Sequence, residues 1–163
     1  MQQLQAWLGF RSTSLVFDSD VHGWSRSEFR QRVLGRNNLV VVELSECGDV
    51  FGFFIDLPLE QTNVWCPINR LEVFSLARGG HVGELRHIRQ STTGYNGRLG
   101  VNLWDFKFMF TTYLFGIEDD TRQGCWVSST PHEWFDGFDF DDFFTEIWFH
   151  HQRCLVLKVE MNE

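Results

Sequence analysis

Two aspartates and a histidine at alternating positions, Asp18, Asp20 and His22, have the clearest potential for chemistry in this chain. If the segment were extended, all three side chains would point to the same side, because side chains in a strand alternate with a period of two. Carboxylate and imidazole groups gathered in this way could bind a divalent cation, as in a metal-dependent hydrolase or a calcium-binding domain. The favoured interpretation is that carboxylates just before a helix stabilise the helix dipole and solvate a turn.

A second acid-rich segment, 136–142, alternates aspartates with aromatic residues. It lacks the glycine at position six and the glutamate at position twelve of an EF-hand loop, so a solvated loop is favoured over a calcium site. A loop that alternates rings with acids can expose some of its rings. We expect Phe138 and Phe140 to act as anchors for a partner with a basic rim.

The motifs of common catalytic and cofactor-binding sites do not occur in the sequence. There is no Gly-x-Ser-x-Gly elbow, and the glycines at 94, 97 and 100 lack the lysine and the Ser or Thr of a phosphate-binding loop. His150 and His151 are adjacent and would lie on opposite sides of a strand, which argues against a zinc site. We therefore predict no catalytic residue, no metal and no cofactor, and we favour a protein that is not an enzyme.

The charge of the chain disfavours two classes of partner. Among 163 residues, 14 are Lys or Arg and 22 are Asp or Glu, which gives a net charge of −8. Such a chain is repelled by nucleic-acid phosphates and by anionic lipid head groups. Four arginines do cluster locally, and a nucleic-acid-binding protein of the stress response is kept as a second alternative: Arg26, Arg30, Arg32 and Arg36.

The N-terminal sequence and the cysteines indicate a cytoplasmic protein. Residues 1–10 have no basic residue before their apolar positions, unlike a secretory signal, and the apolar runs are far shorter than the ~20 residues of a membrane span. The cysteines form no Cys-x-x-Cys pair, which favours free thiols in a reducing compartment over disulfides. The sequence does not specify an oligomeric state.

Local patterns predict an antiparallel, β-rich domain with helices at its edges. Apolar residues at helical spacing predict a short helix over 2–8. β-Branched and aromatic residues predict a strand over 14–18 that runs into a polar turn at 19–23. Later strands are predicted at 71–76, 81–89, 99–104, 106–114, 125–128, 144–149 and 154–161.

Two local signals are the most specific. Ser25 can accept a hydrogen bond from the amide of Glu28, which predicts a helix over 26–34 that Gly35 ends. The runs 39–44 and 50–55 are separated by a turn with Gly48 at the position that needs a positive φ. These runs are therefore predicted to form a hairpin in the middle of the sheet.

Four features follow one another along the first half of the chain: the strand 15–19, the helix start Trp24-Ser25, the step Val50-Phe51-Gly52 and the strand 69–76. Their order resembles the TLDc domain family. The resemblance extends over the whole chain and is closest up to Leu76. The family's closing Glu-Val-Trp strand matches either Glu160 or Glu146, and Glu160 is favoured because it lies at the end of the chain.

The resemblance implies a single domain over 1–163 with an α+β, β-rich fold, in which two antiparallel sheets pack as a sandwich with short flanking helices. It also implies a non-enzymatic protein-interaction module. Its roles would be in resistance to oxidative stress and in binding and regulating the vacuolar proton-pumping ATPase, as in several family members. The residues expected to contact a protein partner are Asp18, Ser19, Asp20, Trp24, Phe138, Phe140 and Glu160.

Overall fold

The computed structural model describes residues 1–62, 64–82, 86–89, 99–104, 107–110, 115–117, 125–127 and 148–162. Three short helices lie within the first 33 of these residues, and the remaining elements are strands. In chain order the elements are α1 Gln2–Leu8, β1 Phe10–Asp18, α2 Ser19–His22, α3 Arg26–Val33, β2 Leu39–Ser45, β3 Val50–Ile55, β4 Trp65–Ile68, β5 Leu71–Ala77, β6 Arg86–Arg89, β7 Leu99–Trp104, β8 Lys107–Phe110, β9 Phe115–Ile117, β10 Cys125–Val127, β11 Trp148–Phe149 and β12 His151–Met161.

A six-stranded antiparallel sheet contains half of the described strands, in the order β1-β12-β2-β3-β5-β6. The first and last strands of the chain are neighbours in it, since β12 lies between β1 and β2. Two smaller antiparallel sheets have the orders β4-β7-β8 and β11-β10-β9. The prediction of a β-rich, antiparallel fold with a few short helices is confirmed.

The predicted hairpin of β2 and β3 lies at the centre of the large sheet. Gly48 has a φ of 88° in its turn, as the sequence requires. The neighbouring Asp49 is buried, and its Oδ1 accepts a hydrogen bond of 2.7 Å from the amide of Gly79. The amide of Gly80 donates in turn to the carbonyl of Gly48 at 2.9 Å. These bonds fix the hairpin turn to the chain that follows β5.

Both faces of the large sheet are buried at its central strands, which explains why β2 is mostly apolar rather than alternating. On one face, Val40 and Val42 pack in a core with Leu4 and Leu8 of α1. On the other face, the Phe17 ring meets the Phe29 ring of α3 edge to face, with centroids 5.0 Å apart. Fully buried residues of this second face include the register partners Val41, Phe53, Val73 and Val156.

Helix α3 begins where the capping signal predicts. Ser25 is its N-cap, and the Ser25 Oγ accepts from the amide of Glu28 at 3.5 Å. The Glu28 carboxylate accepts from Arg32 Nε one turn later, at 3.0 Å. Gly35, with a φ of 74°, follows the C-cap residue Leu34. The helix is one residue shorter than the predicted 26–34.

Several element boundaries differ from the prediction for physical reasons. The segment 19–23 is not a polar turn, because Asp18 caps a short helix there with a 3.0 Å hydrogen bond from the amide of Asp20. Strand β4 contains Pro67, which a strand tolerates at the edge of a sheet, and β4 is an edge strand. Neither β4 nor β9 is among the predicted strands. Within the predicted strands 81–89 and 106–114, the described residues include β6 and β8, and His81 forms an isolated bridge with Arg78.

Candidate functional site

The carboxylate of Asp18 forms an ion pair with Arg153 that joins the end of β1 to β12. Arg153 Nε donates to Oδ1 at 3.0 Å and Arg153 Nη2 donates to Oδ2 at 2.6 Å. Asp18 is buried, with 3% of its surface exposed. The hydrogen bond from Arg153 is the main reason that the pKa of Asp18 is lowered. It outweighs burial, which raises the pKa, and the amide of Asp20 assists it.

The metal hypothesis rested on an extended 18–22 segment, and that geometry is wrong. Asp20 and His22 belong to helix α2, so the three side chains do not alternate along a strand. The Nδ1 atom of His22 accepts from the amide of Asp18 at 3.0 Å, and its ring lies against Phe17 with centroids 5.6 Å apart. Within the described ranges, no group of three or more His, Cys, Asp or Glu residues is placed to hold a metal ion.

Two of the residues expected to contact a partner, Asp18 and Ser19, are buried and form hydrogen bonds with β12. The Ser19 Oγ accepts from the amide of Cys154 at 3.0 Å, and Ser19 is as buried as Asp18. Asp20 is exposed and Trp24 is half-buried. The region around α2 therefore offers a partner only part of the predicted set.

Glu160 is exposed near the end of β12, and its carboxylate is held by residues of β1. Ser12 Oγ donates to Glu160 Oε2 at 2.7 Å, and Arg11 Nε lies 3.4 Å from the same oxygen. The hydrogen bond from Ser12, followed by the charge of Arg11, lowers the pKa of Glu160. The Glu160 carboxylate is therefore already paired within the chain, on a polar surface.

Phe138 and Phe140 lie outside the described residues, so their expected role as anchors stays a prediction. In the arginine cluster, Arg32 pairs with Glu28, and Arg36 Nε donates to the carbonyl of Arg32. These local bonds are those of an ordinary helix end. The nucleic-acid alternative stays a hypothesis without added support.

A buried carboxylate that the sequence analysis did not single out is Glu72, in β5. It is 1% exposed and pairs with Arg70 and with Nε2 of His87. The indole of Trp7 stacks on the His87 ring, with centroids 5.0 Å apart and planes 9° apart. Arg70 Nη2 also donates to the carbonyl of Leu8, at the end of α1, at 2.9 Å. This cluster attaches helix α1 to the sheet.

An open groove lies between the chain that follows β3 and the edge strand β4. Its volume is about 410 Å³. Most of the wall is apolar, and one acidic residue contributes to it. The lining residues are Leu57, Pro58, Glu60, Gln61, Val64, Cys66 and Pro67.

Hydrogen bonds to backbone groups fix the chain that flanks the groove. The Asp56 Oδ1 atom accepts from the amides of Asn69 and Arg70, both at 3.1 Å, and so joins the end of β3 to the turn after β4. Leu59, between the lining residues Pro58 and Glu60, is fully buried, and its carbonyl accepts from the amide of Gly35 at 2.9 Å. The groove is therefore built before any ligand arrives, which reduces the entropic cost of binding.

The sequence contains a weak signal for this groove. Pro58 and Pro67 mark the chain around it as irregular or as an edge strand. Nothing in the spacing indicates that the two prolines line the same cavity, because the approach of the two segments depends on the Asp56 bonds. The groove could therefore be recognised only from the tertiary structure, which brings the two segments together.

No helix in the part of the chain that the structure describes has the length and apolar character needed to cross a membrane. Comparison with models of known protein families and with curated proteins finds no match to this chain.

Proposed function

We propose that this protein is a non-enzymatic protein-interaction module whose groove beside β4 receives an apolar side chain of a partner, next to a Lys or Arg of that partner. The observation that carries the proposal is the groove itself, a mainly apolar cavity with one acidic residue among its described lining residues. A volume of about 410 Å³ lies within the ~300–1,000 Å³ range of binding pockets. Such a pocket has room for an anchoring side chain and part of its neighbour.

The apolar part of the groove supports an anchor-type contact. Leu57, Pro58 and Pro67 line it, and Val64 is 45% exposed there. Covering exposed apolar surface of this kind is favourable by ~25 cal/mol per Å². The prolines have a fixed φ, so these walls lose little freedom when a ligand binds.

Charge selects the partner. Glu60 is exposed on the groove, no Lys or Arg is among the described lining residues, and the chain has a net charge of −8. A partner segment that carries a Lys or Arg beside its apolar anchor is attracted, whereas an acidic segment is repelled. Because Glu60 is exposed, the attraction should weaken as salt is added.

The lining also supports binding over catalysis. Cys66 is half-buried, and its Sγ is directed to the carbonyl of Val64 at 3.7 Å. A nucleophilic thiol needs an adjacent base within hydrogen-bond reach, whereas the Cys66 thiol donates to a carbonyl.

The TLDc-like assignment, the two-sheet sandwich, the cytoplasmic location and the role in oxidative-stress resistance belong to the same proposal. The assignment and the sandwich are supported by the order of strand, short helix and central hairpin in the first 55 residues, and by burial on both faces of the central strands of the large sheet. The location and the stress role come from the sequence and the resemblance alone. The partner that the resemblance implies is a subunit of the vacuolar proton-pumping ATPase. A basic segment of such a subunit with an apolar anchor fits the groove by charge and size.

The test is peptide binding measured by fluorescence polarisation. The probes are peptides that contain Leu or Phe next to Lys or Arg, including basic segments tiled from ATPase subunits, and charge-reversed versions of the same peptides. We expect the basic peptides to bind in a salt-dependent way. Val64→Asn should weaken their binding about fivefold or more, and Glu60→Lys should reverse the charge preference.

The matched control is Val82→Asn, because Val82 is also exposed, at 79%, and does not line the groove. It should leave peptide affinity unchanged. Equal affinity for Val64→Asn and for the unchanged chain, with both proteins folded, would contradict the proposal.

A further inference from the structure

Strand β1 forms one edge of the large sheet, and its middle is exposed to solvent on both faces. It is the first strand in the sheet order, and the described residues place no strand along its outer side. Residues 11–15 are all exposed, although strands of the sheet interior are buried. Leu15, an apolar residue, is 54% exposed. An edge of this kind can pair with another strand.

The bonds of β12 show how the backbone of β1 is oriented. The amide of Val159 donates to the carbonyl of Asn38, on the β2 side, and the amide of Asn162 donates to the carbonyl of Gly9, on the β1 side. Backbone groups of successive residues in a strand point to opposite sides. Lys158 therefore directs its N–H and C=O toward β1.

Ser14 is the register partner of Lys158, so Ser14 directs its own N–H and C=O back toward β12. Its two neighbours, Thr13 and Leu15, consequently direct their backbone groups away from the sheet. Two N–H donors and two C=O acceptors thus face outward along this edge.

The stretch 12–15 lacks two of the features that usually prevent pairing, charged side chains and prolines. Register shifts interrupt β1 between Phe10 and Ser12 and between Leu15 and Phe17. They confine regular strand to this short stretch and so define the register that a second strand would take.

We propose that the occupant of this edge is a second copy of the same chain, paired antiparallel across a two-fold axis that passes between the two Ser14 residues. Thr13 of each copy then lies opposite Leu15 of the other. The outward groups of these two residues form four backbone hydrogen bonds, which is the full set that the edge offers. The two Ser14 residues face one another on the axis as a non-hydrogen-bonded pair.

The side chains are self-complementary in this register. Leu15 and Thr13 lie on the same face of β1, so each exposed Leu15 is covered by the Thr13 of the other copy. No two like charges are directly opposed. The two Lys158 residues are three strand spacings apart, about 14 Å, which exceeds the ~8 Å Debye length at physiological salt.

The short edge also sets the strength of the dimer. The surface area buried by four hydrogen bonds and four side chains falls well below the ~800 Å² per partner of a stable interface. The dimer should therefore be weak and should appear only as the protein is concentrated. The edge and the groove are separate surfaces, so this dimer and peptide binding are independent.

The test is sedimentation of the full chain from about 10 µM to about 1 mM, a range that covers weak association. We expect the average mass to rise toward twice that of the monomer. Ser14→Lys and Ser14→Glu, each alone, place like charges together on the axis and should stay monomeric at every concentration. Mixing the two variants should restore the dimer, because opposite charges then meet on the axis.

Ser27→Lys is the matched control, since Ser27 is an exposed serine of α3, and it should dimerise as the unchanged chain does. Hydrogen exchange provides a second measurement on the unchanged chain, where the amides of Thr13 and Leu15 should gain protection with concentration. A monomer at every concentration would overturn the proposal, and so would undiminished dimerisation of Ser14→Lys. If the chain stays monomeric but loses a different partner when Ser14 is charged, the edge belongs to that partner's strand.

Discussion

Arg153 in β12 binds both carboxylate oxygens of Asp18 at the end of β1, although 135 positions separate the two residues in the chain. The pair closes the sheet between its first and last strands. Asp18 also accepts from the amide of Asp20 and so caps helix α2. One buried side chain therefore supports a strand pair and a helix start together.

Replacing Asp18 with Ala should lower the free energy of unfolding by about 2 kcal/mol, because a charge-assisted hydrogen bond and a helix cap are lost together. Urea denaturation at pH 7 measures the change. Asp20→Ala is the matched control: Asp20 is exposed and lies 3.4 Å from Arg153, so its effect should be within about 0.5 kcal/mol. Equal effects of the two substitutions would contradict a special role for Asp18.

The same pair gives a pH dependence with a definite sign. The pKa of Asp18 is lowered below its ordinary 3.8, chiefly by the Arg153 hydrogen bond, so the unfolded chain takes up the proton first as the pH falls. The stabilisation is complete above about pH 3.8 and is lost as the pH drops through the lower folded value. When the urea midpoint is measured against pH, it should fall less at acidic pH in Asp18→Asn than in the unchanged chain. An equal fall in the two proteins would show that Asp18 is not responsible.

The hairpin and the start of α3 were predictable because their signals are local. Ser25 and Glu28 lie within one helical turn, and Gly48 lies inside the turn that needs it. The Asp18–Arg153 pair could not be predicted, because no local pattern specifies which strand β1 will pair with. The start of β1 was missed for a related reason: residues 11–14 are polar and exposed at an edge, so they lack the alternation of a half-buried strand.

The candidate groove was missed because its walls depend on contacts between segments. Asp56 joins the end of β3 to the chain after β4, and its sequence position carries no sign of this. The alternating residue types of 18–22 left an extended metal site open as an alternative to the favoured interpretation, in which the carboxylates stabilise a helix dipole and solvate a turn. In the structure Asp18 caps a helix that begins at Ser19, so the segment is not extended. The hydrogen bond of the helix cap determines the backbone conformation of that segment, and the spacing of residue types does not reveal it.

Glu72→Gln should loosen helix α1 and destabilise the domain by about 2 kcal/mol, since it removes the charge that Arg70 and His87 share in a buried position. Arg70 also holds the carbonyl of Leu8, so amide exchange over α1 should speed up more than exchange in β2. Glu46→Gln, at an exposed carboxylate, is the control and should change neither. Uniform exchange changes across the sheet would contradict a local attachment of α1.

Glu72 should also contribute to stability in a pH-dependent way. Burial raises its pKa, but the hydrogen bonds from His87 and Arg70 outweigh burial and lower it. Its contribution is therefore present above the ordinary value of 4.5 and is lost as the pH falls through the folded value. In the unchanged chain, the protection of the α1 amides from exchange should decline in that acidic range. In Glu72→Gln the protection should be weak and should not change with pH.

Gly52→Ala should be among the most destabilising single substitutions in this chain. A Cβ at Gly52 would overlap the carbonyl oxygen of Val41 in the adjacent strand and come within 2.8 Å of the Phe74 ring. The central hairpin would have to separate, at a cost of about 3 kcal/mol or more. Gly35→Ala is the control, because a Cβ there meets no atom within 4 Å and only the positive φ is strained, at ~1 kcal/mol. Thermal unfolding of both variants tests the ranking.

Cys154 should be the least reactive of the three described free thiols, Cys47, Cys66 and Cys154. It is 1% exposed, and burial raises its pKa well above the usual value, with the charge of Glu43 and the hydrogen bond to it adding to the effect. Only the thiolate attacks an alkylating reagent, so labelling of Cys154 must await unfolding. Alkylation of the native protein, located by peptide mass spectrometry, should modify Cys47 and Cys66 first, because both are half-buried at the surface. In urea the three rates should converge. If native Cys154 were labelled as fast as Cys66, β12 would have to open away from β2. The pairing of the last strand with the sheet would then be far weaker than its buried contacts with Asp18 and Glu43 indicate.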